Sequence, residues 1–105
     1  LISFEIIDVY DDDYGDANIK IKITSLDKKT IRALKFKMFI ISKKGMKELG
    51  YTERKVREPV NISYISNHVF MSGSCYTLLK GASKNDYSYR FQITSMIYDG
   101  ELIVE

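Results

Sequence analysis

At about 100–200 residues per domain, the 105 residues amount to one domain, 1–105. Sixteen Lys+Arg against fourteen Asp+Glu leave a net charge of +2, which excludes the strongly basic balance of a general nucleic-acid binder, and no nucleic-acid partner is expected. With 45% hydrophobic and 29% charged residues, the chain is too apolar for disorder and too charged for a membrane span. No apolar run approaches the roughly 20 residues that a bilayer requires.

The text opens at Leu1 and is strand-like from the start, the expectation for a processed chain or a piece of a longer one. It carries no basic stretch followed by an apolar leader segment. The single cysteine, Cys75, forms no internal disulfide, so burial alone has to hold the core. One thiol fits a reducing cytosol and also an envelope protein that does without disulfides.

In chain order, Ile2-Ser3-Phe4-Glu5-Ile6 alternates and runs through Ile7, Asp8, Val9 and Tyr10 into an acidic loop, Asp11-Asp12-Asp13-Tyr14-Gly15-Asp16. Ile19-Lys20-Ile21-Lys22-Ile23-Thr24 alternates strictly with β-branched apolar residues, the period of a half-buried strand. After a bend at Asp27-Lys28-Lys29-Thr30, Leu34-Lys35-Phe36-Lys37-Met38 repeats that logic. The slip at Ile31-Arg32-Ala33-Leu34 predicts a β-bulge, and Lys43-Lys44-Gly45 ends the strand.

The stretch 46–58 reads as a polar hairpin arm or long loop, with one or two helical turns before Pro59 as the alternative, because it shows no sustained apolar face. Ile62, Tyr64, Val69 and Met71 suggest short strands around Asn67-His68. Cys75-Tyr76-Thr77-Leu78-Leu79, bracketed by Gly73 and Gly81, reads as another. Tyr89 to Thr94 alternates again, and Asp99-Gly100 between apolar segments predicts a type I′ hairpin turn. About seven short strands with one proline predict an all-β, antiparallel immunoglobulin-like β-sandwich. At about 25 cal/mol per Å², the inner faces of Ile, Leu, Phe and Met can hold such a core.

Two segments carry a resemblance. The stretch from Ile21-Lys22-Ile23-Thr24 through Ser25-Leu26-Asp27-Lys28-Lys29-Thr30 to Ile31-Arg32-Ala33-Leu34-Lys35-Phe36 forms a strand, a short turn and a "Thr-Ile-Lys"-style second strand. Ile93-Thr94-Ser95-Met96-Ile97-Tyr98-Asp99-Gly100 closes on Tyr-x-Asp-Gly in the manner of a terminal strand. Both resemble the immunoglobulin-like domains of unknown function found in bacterial envelope and lipoprotein chains, in the style of FxLYD modules. The resemblance implies an envelope or extracellular, non-enzymatic module with no cofactor. Its partner would be a protein or the rest of its own parent chain, or a cell-wall polymer or glycan. Phe36, Phe39 or Tyr76 would then fill the space of the Trp that such domains bury.

Three groups of side chains are candidates for function. Asp11, Asp13 and Asp16, with Asp8 and Asp12 nearby, could offer Ca²⁺ several oxygens, although the spacing lacks the distal bidentate Glu of an EF-hand. A solvated loop that discourages edge pairing is the simpler expectation. Lys20, Lys22, Lys35 and Lys37 alternate outward and could meet an anionic partner, or simply solvate a face. Were their strands a hairpin, Lys20 would lie near Lys35, an unfavourable pairing, so either the strands sit in different sheets or acidic neighbours such as Glu5 intervene. Tyr14, Tyr51 and Tyr87 lie in loop-like text and are candidate contact residues for a protein or glycan.

Catalytic text is sparse. His68 and Cys75 could meet on adjacent strands, but a working pair needs an orienting group and an oxyanion hole, and Cys75 reads better as a small buried hydrophobe. No enzyme activity is expected. Asn61-Ile62-Ser63 matches a glycosylation sequon.

Overall fold

A computed structural model describes residues 1–99 and 101–104, with backbone only at Glu101. The strands are β1 (Ile2–Asp11), β2 (Ala17–Ser25), β3 (Ile31–Ser42), β4 (Glu48–Val56), β5 (Ser63–Phe70), β6 (Tyr87–Tyr98) and β7 (Glu101–Val104). One helix, α1 (Gly73–Leu79), links β5 to β6. All pairings between strands are antiparallel, in a three-stranded sheet β1-β2-β5 and a four-stranded sheet β4-β3-β6-β7. These are the two packed layers of an all-β sandwich. β2 lies beside β5 and β3 beside β6, the pairing of immunoglobulin-like sandwiches, but the fourth strand has joined the sheet of β3 instead of pairing with β5.

Alternation sets the inner faces. Ile19, Ile21 and Ile23 of β2 are fully buried, as are Phe36, Met38 and Ile40 of β3. Each such aliphatic or aromatic side chain contributes about 1.5–3 kcal/mol on burial. Phe36 sits at the centre, 5.1 Å from the Phe4 ring, and Phe4 stacks on Phe91 at 4.5 Å. Of the residues considered for the central aromatic position, Phe36 is the one wholly buried. Phe39 lies instead on the outer face against Tyr51.

The slip at Ile31 is a register shift between Ile31 and Ala33 in the pairing with β6, as the alternation predicts. Tyr98 pairs with Glu101 across the closing turn. Asp99 there has φ 47, as the first central position of a type I′ turn requires, whereas Gly100 lies outside the described residues.

Residues 48–56 form strand β4, paired antiparallel with β3 as the hairpin arm expected in preference to helical turns. The inward positions of β4 are Gly50, Thr52, Arg54 and Val56, opposite Ile40, Met38, Phe36 and Leu34, so only the last shows an aliphatic side chain to the core. Gly50 has a steric reason: a Cβ there would stand 3.0 Å from Leu78 Cδ1 of α1. The segment 75–79 is helical and not a strand, because Cys75 and Leu79, four residues apart, bury one face of a single short helix. The suggested short strands around Asn67-His68 are one continuous strand, β5.

Candidate functional site

The acidic loop folds onto itself and onto α1. Asp12 Oδ1 accepts the backbone N–H groups of Tyr14 and Asp16, and Asp12 Oδ2 accepts Asn18 Nδ2 at 2.8 Å. The Asn18 amide and then these backbone donors hold the Asp12 carboxyl below its ordinary value. Asp11 accepts Gly81 N at 3.1 and 3.2 Å and lies 3.5 Å from Lys80 Nζ. Lys80 Nζ and Tyr76 OH both donate to the Gly15 carbonyl. Asp13 is exposed and Asp16 half-buried. Among the described residues, no three His, Cys, Asp or Glu side chains converge as a metal site. Asp11 and the Gly15 carbonyl clasp the helix and its C-terminal end, and Asp12 ties the loop to itself and to Asn18, which sequence spacing did not reveal.

The four lysines divide between the outer faces of the two sheets. Lys20 and Lys22 of β2 lie opposite Asp8 and Glu5 of β1, and Lys20 Nζ stands 5.4 Å from the Tyr10 ring. Lys35 and Lys37 lie on β3 of the other sheet, with Lys35 3.1 Å from Glu53. Separate sheets and acidic neighbours therefore both operate. No single lysine stripe forms.

Of the tyrosines, Tyr14 is 91% exposed and Tyr51 57%. Tyr87 is committed to the fold: its hydroxyl donates to the Leu78 carbonyl at 2.9 Å, a tether near the start of β6 comparable to the tyrosine corner of immunoglobulin-like sandwiches. His68 and Cys75 bind elsewhere. His68 Nε2 is 2.8 Å from Ser66 Oγ, while Cys75 Sγ donates to the Tyr51 carbonyl at 3.4 Å. Burial, and then the charge of Arg54, pull His68 down to about 4, so its ring is neutral near pH 7. Burial raises the Cys75 thiol, which lowers its reactivity.

The structure instead gathers cations along one margin, beside the end of β4. Arg54 points inward with its guanidinium 4.1 Å from the Phe70 ring centre, and its buried Nε has no hydrogen-bond partner. Burial lowers its affinity for the proton. Among the described residues, no carboxylate lies within ion-pair distance of it. Lys55 and Arg57 each border two depressions. One, of about 250 Å³, lies between the unpaired edges of β4 and β5, lined also by Glu58, Tyr64, Ser66, Asn67 and His68. The other, of about 300 Å³, crosses the four-stranded sheet over Ala33, Ile97 and Leu102, with Lys35 on its rim.

The run Arg54-Lys55-Val56-Arg57 reads in sequence as an ordinary solvated stretch. Only the switch of β4 to the other sheet sets it opposite β5. This arrangement can attract and orient negative charge, and it offers both polar and apolar walls. Among known proteins, no family model, curated protein or solved structure matches the chain.

Proposed function

We propose that this sandwich is a non-enzymatic protein-interaction module whose working surface is the basic margin of β4, meeting an acidic segment of a protein partner or of its own parent chain. The observation that carries the reading is the cleft between β4 and β5, which Lys55 and Arg57 border with Glu58 as its one carboxylate, while inward of it Arg54 has no carboxylate within ion-pair distance among the described residues. Two cations against one carboxylate leave the cleft net positive, and an acidic partner supplies the missing counter-charge. Of the nearby carboxylates, Glu53 is engaged by Lys35, which leaves Glu58 as the acidic side chain in the cleft. The resemblance of 21–36 and 93–100 to envelope modules supports placing the parent protein in a bacterial envelope.

A titration with poly-L-glutamate, followed by amide chemical shifts, tests the reading. Saturable shifts centred on 54–58, lost at high salt and in Lys55→Glu/Arg57→Glu, are expected. Shifts confined to the lysines of β2, or none at all, would count against it.

One observation favours a second reading, a glycan-binding module. Tyr51, Phe39 and Arg90 form a row across the outer face of β4, β3 and β6, with Tyr51 and Phe39 stacked at 5.8 Å and Arg90 4.6 Å from the Phe39 ring. Saturable binding of a neutral oligosaccharide that fails in Tyr51→Ala would favour this reading over the first.

A further inference from the structure

A sheet edge exposes unpaired backbone groups, and proteins blunt such edges with charge, bulges, proline or short length. Two of the four edges here, β1 and β4, are blunted. β1 has a register shift between Ile6 and Asp8 and carries Glu5, Asp8 and Asp11. β4 carries Glu48, Glu53, Arg54 and Lys55, with an irregularity where β3 passes from Ile40 to Ile41.

β5 has none of these protections. Its eight residues pair with β2 without a shift, from Ser63 opposite Thr24 to Phe70 opposite Ala17. The sequence Ser-Tyr-Ile-Ser-Asn-His-Val-Phe holds no proline and no Asp, Glu, Lys or Arg. Its outer face shows Ile65 55% exposed and Val69 38% exposed.

The pairing also fixes which backbone groups are free. Ser25 N donates to the Ile62 carbonyl, so the hydrogen-bonded pairs on β5 are those of Tyr64, Ser66, His68 and Phe70, because such pairs alternate along an antiparallel ladder. The N–H and C=O groups of Ile65 and Asn67 point to the open edge. The cleft lined by Tyr64, Ser66 and His68, with two cations, Lys55 and Arg57, against one carboxylate, Glu58, adjoins the same edge.

We infer that β5 accepts an extended acidic segment of a partner protein as an added strand, in the place left open by the switch of β4 to the other sheet. The inference rests on the interaction-module reading above and specifies how the partner is held. Main-chain hydrogen bonds to Ile65 and Asn67 supply affinity, and alternate side chains supply selectivity. Every second side chain of the added strand enters the cleft beside Lys55 and Arg57, where carboxylates are favoured. The others lie on the outer face beside Ile65 and Val69, where β-branched residues pair well.

The probe is an octapeptide of alternating valine and glutamate, with a valine–lysine octapeptide as control, added to the intact domain. The glutamate peptide is expected to bind saturably and at least about tenfold tighter than the lysine peptide. It should slow hydrogen exchange at the Ile65 and Asn67 amides. Lys55→Glu/Arg57→Glu should reverse the preference. Ile65→Pro should abolish binding by removing the free donor. Ile65→Asp, at an exposed position that leaves the backbone intact, should weaken glutamate-peptide binding even if the proline variant fails to fold. Binding that leaves both amides exchanging as in the free protein overturns strand addition and leaves the basic-margin reading standing. Absence of binding by either peptide overturns both. Self-association without peptide, with protection at the same two amides, assigns the edge to a second copy and overturns the acidic partner.

Discussion

Asn18 Nδ2 donates to Asp12 Oδ2 at 2.8 Å, and Asn18 Oδ1 accepts Asn67 Nδ2 at 3.0 Å, so one buried amide joins the acidic loop to β5. Asn18→Ala removes both bonds, and because Asn67 is exposed and Asp12 half-buried, water replaces part of each and the loss is about 1 kcal/mol. A chemical-denaturation midpoint lowered with an unchanged slope would report that loss. Because Asp12 is held below its ordinary value, its contribution is present above the unfolded carboxylate value. That contribution disappears as pH falls through the lowered folded value.

His68 governs a higher pH window. Its ring titrates at about 4 in the fold, against 6.5 for the ordinary group. The unfolded chain therefore binds the proton first, so stability is full above pH 6.5 and declines as pH falls toward 4. The difference corresponds to about 3 kcal/mol. His68→Gln should flatten the stability profile across this window in equilibrium unfolding. A His68 resonance titrating near its ordinary value in the folded protein would contradict the burial argument.

The Tyr87 tether predicts a modest, localised effect. Tyr87→Phe removes the bond to the Leu78 carbonyl and should cost about 1 kcal/mol. Faster hydrogen exchange in α1 and at the start of β6, with β2 unchanged, is the accompanying signature. Two other tyrosines set the alkaline limit. Tyr89 is pushed up to about 12 by burial, then by Tyr87 and Asp86. Tyr98, buried and donating to Asp27 Oδ2 at 2.7 Å, is also pushed up to about 12. Both favour folding below pH 10 and lose that contribution as pH rises toward 12, and absorbance titration should show two late phenolates.

Much of the fold is legible in the chain because β2, β3 from Leu34 to Ile40 and β6 from Tyr89 to Ile93 alternate, with aliphatic or aromatic residues on the inner face. β4 is legible only as a polar hairpin arm, its strand period hidden for a physical reason. Its inward residues Gly50, Thr52 and Arg54 answer to α1, to the inner face and to Phe70, not to an aliphatic period. α1 hides because seven residues between two glycines show just one i, i+4 buried pair, Cys75 and Leu79. The acidic loop and the alternating lysines are conspicuous in sequence, yet the fold engages Asp11 and Asp12 of the first in hydrogen bonds and divides the second between two faces. Lys55 and Arg57 become a candidate site only through topology, which residue spacing does not encode.

Hydrogen exchange along β5 probes the open edge most directly, with no ligand required. Slow exchange at Tyr64, Ser66 and His68, alternating with fast exchange at Ile65 and Asn67, follows from a strand bonded to β2 on one side alone. Uniform protection across these five amides in the monomer would contradict it, because another strand would then already occupy the place assigned to the partner.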